Sequence, residues 1–92
     1  MGEADLVCLS PDKRVLVIVE VKARRVDPSG PETPPPEAAI TIKKRRKLLH
    51  VAAATASRLK WGDRPLRIDV VAVEAPVKGR LSIRHHVGAV TS

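Results

Sequence analysis

Glu3, Asp5, Glu20 and Lys22 are the residues whose types and spacing suit chemistry in this chain of 92 residues. They stand in two short segments, GEADLV at 2–7 and VLVIVEVKARR at 15–25. Converging carboxylates suit Mg2+ or Mn2+, which take oxygen ligands and keep several waters. A lysine beside them stabilises or activates a metal-bound water while the cation offsets charge on a scissile phosphate. Those parts fit phosphodiester hydrolysis. The second segment also poses a packing question. Five apolar residues, Val15 to Val19, belong in a core, and burying a carboxylate and an ammonium just beyond them is costly unless each finds a partner.

A hairpin would supply the partners. Ser10-Pro11-Asp12-Lys13 is good turn chemistry, with proline at the second position of a type I turn. Glu3–Leu9 alternates loosely before it, and Val15–Lys22, rich in β-branched residues, follows it, so both read as strands. A turn centred between Asp12 and Lys13 pairs residues whose numbers sum to 25. Asp5 then faces Glu20 and Glu3 faces Lys22, and alternation puts all four on one face of the ribbon. A slip of one residue on one strand would split them between two faces.

The rest of the chain bounds the setting. Its length suits a single domain, residues 1–92, with one modest core. With 43% hydrophobic and 29% charged residues, wholesale disorder is not expected. The Val15–Val19 run is too short to span a bilayer, and the acidic N-terminus lacks a signal-peptide layout, so a cytoplasmic protein with no membrane partner is expected. Cys8 stands alone, excluding an internal disulfide and a cysteine-based zinc site. Residues 1–40 carry five Lys/Arg and seven Asp/Glu, a net of −2, whereas residues 41–92 carry twelve and three, a net of +9. A basic half beside a locally acidic one suits a nucleic-acid-binding metal site. Trp61 is the sole aromatic residue, which speaks against recognition of single strands by base stacking.

Residues 27–37 hold five of the eight prolines and read as an exposed loop. Thr41 reads as the N-cap of a helix running to Lys60, with Leu48, Leu49, Ala52, Ala53, Ala56 and Leu59 as its apolar stripe. Lys43, Lys44, Arg46, Lys47 and Arg58 fall largely off that stripe, and Gly62 and Pro65 bracket the helix exit. Leu66–Glu74 reads as a third strand and Arg80–His86 as a shorter fourth. Strand, helix, strand implies a crossover, with the third strand parallel to the second.

GEADLV followed by VLVIVEVKARR resembles the GEIDLI…VFVEVKTR signature of the YraN-like family, within the restriction-endonuclease-like, PD-(D/E)XK superfamily. That family looks similar to archaeal Holliday-junction resolvases. AITIKKRRKLLHVAAATASR is similar to the family's basic helix, RIDVVAV to the strand after it and IRHHVGAV to its closing segment. The likeness covers nearly the whole chain outside the proline-rich loop. The resemblance implies Asp5 and Glu20 as metal ligands for Mg2+ or Mn2+, with the Val21 carbonyl as a third donor, and Lys22 as the catalytic lysine. Glu3 and Lys44 would line the site, Lys43 replacing Lys44 if the helix phase is shifted by one. Arg24, Arg25, Lys43, Lys44, Arg46 and Lys47 would contact nucleic acid. Two departures stand out: the family's usual first helix and strand have no counterpart before Glu3, and Gly88 and Val90 stand where Asn and Phe are more usual.

The fold expected is therefore α/β, a restriction-endonuclease-like mixed sheet made of a hairpin, a crossover helix, a parallel strand and a final short strand. The function expected is Mg2+-dependent cleavage of branched or duplex DNA, with a homodimer if junctions are resolved. Two plainer readings stand beside it: a non-catalytic DNA- or RNA-binding module, and an interaction protein whose charges are hydrated surface. KKRRK by itself is most often a solvated helix face. Asp69 reads as a buried acid paired with Arg67 or a backbone donor. His85 and His86 read as strand-end residues pointing to opposite faces, His50 as a helix-boundary residue and Cys8 as core filler.

Overall fold

A turn held together by its own side chains sets the first hairpin. Ser10 Oγ donates to Asp12 Oδ1 at 2.6 Å, the Arg14 N–H donates to the same oxygen at 3.0 Å, and the Val15 N–H donates to Ser10 Oγ at 3.0 Å. Lys13 takes a left-handed φ of 61°, closing the turn. The computed structural model describes residues 6–27, 29–30, 34–35, 38 and 40–90. Over those residues β1 (Leu6–Leu9) and β2 (Leu16–Val26) pair antiparallel, Leu6 with Val19 and Leu9 with Leu16, so partner numbers sum to 25 as expected.

α1 (Ile42–Arg58) then carries the chain across to β3 (Leu66–Pro76), which runs parallel to β2 from Leu16↔Leu66 to Val26↔Pro76. β4 (Ser82–Val90) pairs antiparallel with β3, giving a four-stranded mixed sheet in the order β1-β2-β3-β4. The expected α/β architecture is present, but three strands have different bounds. β2 continues four residues beyond Lys22, β3 continues two beyond Glu74, and β4 runs to Val90 instead of ending at His86. The long parallel ladder explains the first two: each residue added to β2 gains hydrogen bonds to an equally extended β3.

Thr41 caps α1 as expected, its hydroxyl accepting the Lys44 N–H at 3.2 Å. The other end stops two residues short of Lys60. Lys60 N–H donates to Ser57 O and Trp61 N–H to Ala56 O, with Lys60 at φ 53°, which makes a Schellman cap with lysine in the left-handed position. Trp61 folds back into the core, its Nε1–H donating to Pro65 O at 2.9 Å while the Arg64 guanidinium lies over its ring.

The core joins one face of the sheet to one stripe of the helix. Leu16, Ile18, Ile68, Val70 and Val90 meet Leu48, Ala52 and Trp61, with Leu49 and Ala56 packed at the margin. The expected stripe is corrected at two places. Ala53 and Leu59 are exposed, Leu59 serving as the C-cap, while Thr55 is buried with its hydroxyl donating to Val51 O. Cys8 is not core filler either; it is exposed on β1, an edge strand whose four residues all face solvent.

Candidate active site

The side of the sheet that carries the helix divides into an apolar end and a charged end. Leu16 and Ile18 on β2, with Ile68 on β3 and Val90 on β4, form the apolar end beneath α1. Alternation keeps Glu20, Lys22 and Arg24 on that same side. Register then sets out three charged rows across the strands. They are Glu20–Val70–His86, Lys22–Ala72–Arg84 and Arg24–Glu74–Ser82. The greasy run is thus the mount, and the charges begin where the helix cover ends.

Glu20 and Lys22 meet in this region, with Lys22 Nζ 3.2 Å from Glu20 Oε1 and the two side chains 26% and 15% exposed for lysine and glutamate respectively. That pairing answers the cost of placing either charge beside a core. Both residues are held by rigid β2, which is hydrogen-bonded on one side to β3 along its whole length. Glu3 and Asp5 lie outside the described residues, so the meeting of all four expected side chains is not part of the described geometry. Among the described residues no group of three or more His, Cys, Asp and Glu stands where it would hold a metal ion. Glu20 and the Val21 carbonyl nonetheless supply oxygen donors, the kind a hard divalent cation takes.

The third row is an ion-pair chain that pattern reading missed. Glu74 Oε1 accepts Arg84 Nη2 at 2.7 Å and has Arg24 Nη2 at 3.5 Å. Hydrogen bonding from Arg84 holds the Glu74 carboxyl below its ordinary range, against a smaller upward push from burial. Arg24 also donates to the Pro34 carbonyl, tying the proline-rich loop to β2. Arg24 is therefore engaged within the protein, whereas Arg25, on the opposite face by alternation, is exposed.

Lys43, Lys44, Arg45, Arg46 and Lys47 are all exposed on the first turns of α1. The helix lies over β3 and β4, so its basic turns stand beside the charged rows. Between them runs an open groove lined by Ile40, Arg45, Val70, His86, Val87 and Ala89. His86 is thus a mid-strand residue at the groove and not a strand end. His50 is exposed on the helix.

The opposite side of the sheet buries Asp69, 1% exposed, beneath a full set of donors. Arg67 grips it with Nε to Oδ1 at 2.8 Å and Nη2 to Oδ2 at 3.0 Å. His85 Nε2 lies 2.8 Å from Oδ2, and the Gly88 N–H donates to Oδ1 at 2.9 Å. Asp69 is a structural acid paired with both Arg67 and a backbone donor, and His85 faces it, away from His86.

Residues 1–73 match the pattern that defines the family described as Uncharacterised protein family UPF0102. The chain belongs to this family. It is 41% identical over 88 residues to a UPF0102 protein of Pelobacter propionicus, covering 96% of this chain and 60% of that one. A UPF0102 protein of Symbiobacterium thermophilum is 42% identical over 83 residues, covering 90% of this chain and 65% of the relative. A third, from Renibacterium salmoninarum, is 44% identical over 75 residues, 82% of this chain and 58% of its own. The chain therefore spans about 60% of the length of the curated relatives it matches. No solved structure matches it. Membership agrees with the YraN-like resemblance of GEADLV and VLVIVEVKARR, and the four-stranded mixed sheet with its single described helix is consistent with a restriction-endonuclease-like fold. The family match takes in β2, α1 and β3 as far as Val73, whereas His85 and His86 on β4 lie beyond it. No helix among the described residues is long and apolar enough to cross a membrane.

Proposed function

We propose that this chain carries a metal-dependent phosphodiesterase site that acts on branched or duplex DNA in the cytoplasm. The meeting of Glu20 and Lys22 at the charged end of β2 is the observation that carries the reading. The hairpin register supports it: continued beyond Leu6, the pairing whose numbers sum to 25 would set Asp5 against Glu20. Asp5, Glu20 and the Val21 carbonyl are the proposed donors for Mg2+ or Mn2+, an all-oxygen set suited to either. When bound, such a cation supplies charge neutralisation at the phosphate and acidification of water.

The chain's own residues do the remainder. Lys22 Nζ, now 3.2 Å from Glu20, turns part of its charge to the phosphate oxygens and orients the attacking water. The exposed Lys43, Lys44, Arg46 and Lys47 hold the backbone by charge. Glu3 and Lys44 would line the approach, and junction resolution would require two such sites related by a two-fold axis in a homodimer.

The test is cleavage of four-way-junction and linear duplex DNA with Mg2+ or Mn2+. Cleavage should appear with wild type and vanish in Lys22→Ala, Glu20→Gln and Asp5→Asn. Cutting that persists in both Lys22→Ala and Asp5→Asn sinks the proposal. One observation favours a non-catalytic DNA- or RNA-binding module instead: Lys22 already neutralises Glu20, while the basic turns of α1 are exposed and need no metal. That module would bind with steep salt dependence and without regard to divalent ions, weakened by Lys43→Ala and Lys44→Ala but not by Asp5→Asn.

A further inference from the structure

We infer that the groove between the first turns of α1 and β4 seats a second backbone phosphate of the same nucleic acid, faced by Arg45 and His86. The inference deepens the nucleic-acid reading above and rests on it. Three observations support it.

The first is position. Glu20, Val70 and His86 form one row across β2, β3 and β4, with the groove above Val70 and His86. Neighbouring strands stand about 4.8 Å apart, so Glu20 and His86 are separated by about 10 Å across the sheet. The two residues thus stand on the strands flanking β3, with Val70 between them. A backbone laid across the sheet from the Glu20 end would bring a further phosphate to the groove above Val70 and His86.

The second is the lining. Among the described residues that line it, Arg45 and His86 are polar, Ile40, Val70, Val87 and Ala89 are apolar, and none is an acid. An apolar wall lowers the local dielectric and strengthens a guanidinium–phosphate contact. A groove whose described polar side chains are a guanidinium and an imidazole, with no carboxylate, suits an anion and gives little purchase on base edges.

The third is continuity of charge. Arg45 belongs to the exposed run Lys43–Lys47, so the groove opens onto four further cations on the same helix. A single free anion would satisfy Arg45 alone, whereas a polyanion engages the whole run. The occupant is therefore a phosphodiester backbone.

The three histidines make the test direct, because each reports a different surface. His50 is exposed on α1, His85 is tied to Asp69 on the far side of the sheet, and His86 lines the groove. Imidazole resonances of the full chain would be followed by NMR during titration with a duplex of about 20 base pairs in EDTA, and separately with inorganic phosphate. The expected result is movement of the His86 resonance at micromolar duplex, a still His85, and little response to millimolar phosphate. In parallel, Arg45→Ala should weaken duplex binding several-fold and reduce the slope of log K against log salt by about 1. Movement of His85 in place of His86, an equal response to free phosphate, or unchanged affinity and slope in Arg45→Ala would overturn the groove while leaving nucleic-acid binding intact. Absence of duplex binding by the wild type would overturn both.

Discussion

The Gly88 N–H donates to Asp69 Oδ1 at 2.9 Å across an irregular stretch of the β3–β4 ladder. From Val70↔His86 to Ile68↔Val90, β3 advances two residues while β4 advances four. Gly88 sits in that bulge at φ 62°, which aims its N–H at the buried carboxylate. The left-handed region suits glycine and, next to it, asparagine. Glycine at this place therefore takes the bulge without the strain a Cβ would add.

Three substitutions should separate the bulge from the carboxylate. Gly88→Ala has open space around its Cβ, so its cost is backbone strain alone, about 1 kcal/mol, with Gly88→Asn costing less. Asp69→Ala strips partners from Arg67, His85 and the Gly88 N–H together and should cost on the order of 3 kcal/mol. Urea unfolding of the three variants checks the ranking. Equal losses for Gly88→Ala and Asp69→Ala would mean that the bulge, not the charge, is what matters.

Acid should unfold the protein partly through Asp69. Burial pushes its carboxyl up, but hydrogen bonds from Arg67, Gly88 and His85 together outweigh that and hold it below the usual range. The folded value is thus lower than the unfolded one, about 3.9. Its contribution is present in full above the unfolded value and is lost as pH falls through the folded one. The urea midpoint of wild type should drop between about pH 5 and pH 3 more steeply than that of Asp69→Asn. Some slope should remain in the variant. Asp12, held low by Ser10 Oγ, and Asp27, held low by the Ser29 hydroxyl, titrate in the same direction.

Lys60 offers a gain. It occupies the left-handed position of a Schellman cap at φ 53°, where glycine carries no Cβ penalty. Lys60→Gly should raise stability by about 0.5–1 kcal/mol, the relief of strain being partly offset by the greater freedom of glycine in the unfolded chain. A higher urea midpoint with an unchanged m-value is the expected outcome. A lower midpoint would show that the lysine side chain does something the cap geometry does not reveal.

Local chemistry made the hairpin and the crossover legible in the sequence. Ser10 and Asp12 fix the turn, the turn fixes the register, and Thr41 marks where the helix begins. Features that depend on a partner distant in sequence were harder to see. Thr55 is buried because its hydroxyl is satisfied by Val51 O, which an apolar stripe count passes over. Cys8 is exposed because β1 is an edge strand and Cys8, paired with Val17, lies on the face of the sheet away from α1. The Arg24–Glu74–Arg84 chain spans three strands and needs both registers at once. His85 meets Asp69 beside a bulge, and alternation by itself foresees no bulge. Of the candidate site, Glu20 and Lys22 form an ion pair, while Glu3 and Asp5 lie outside the described residues.

Glu20 and Lys22 give the prediction that best separates chemistry from scaffolding. Both side chains keep some exposure, so the ion pair should contribute about 1 kcal/mol or less to stability. Lys22→Ala and Glu20→Gln should therefore unfold within about that margin of wild type. Their effects on duplex affinity in EDTA should run in opposite directions. Lys22→Ala removes a cation from the phosphate path and weakens binding, whereas Glu20→Gln removes a repelling carboxylate, releases Lys22 and tightens it several-fold. Adding Mg2+ should then strengthen binding by wild type and leave Glu20→Gln unmoved, since the variant has lost an anionic donor. Fluorescence anisotropy with a labelled duplex measures all of this at one salt concentration. Weaker binding by Glu20→Gln in EDTA, with its fold intact, would place the nucleic acid away from this end of β2.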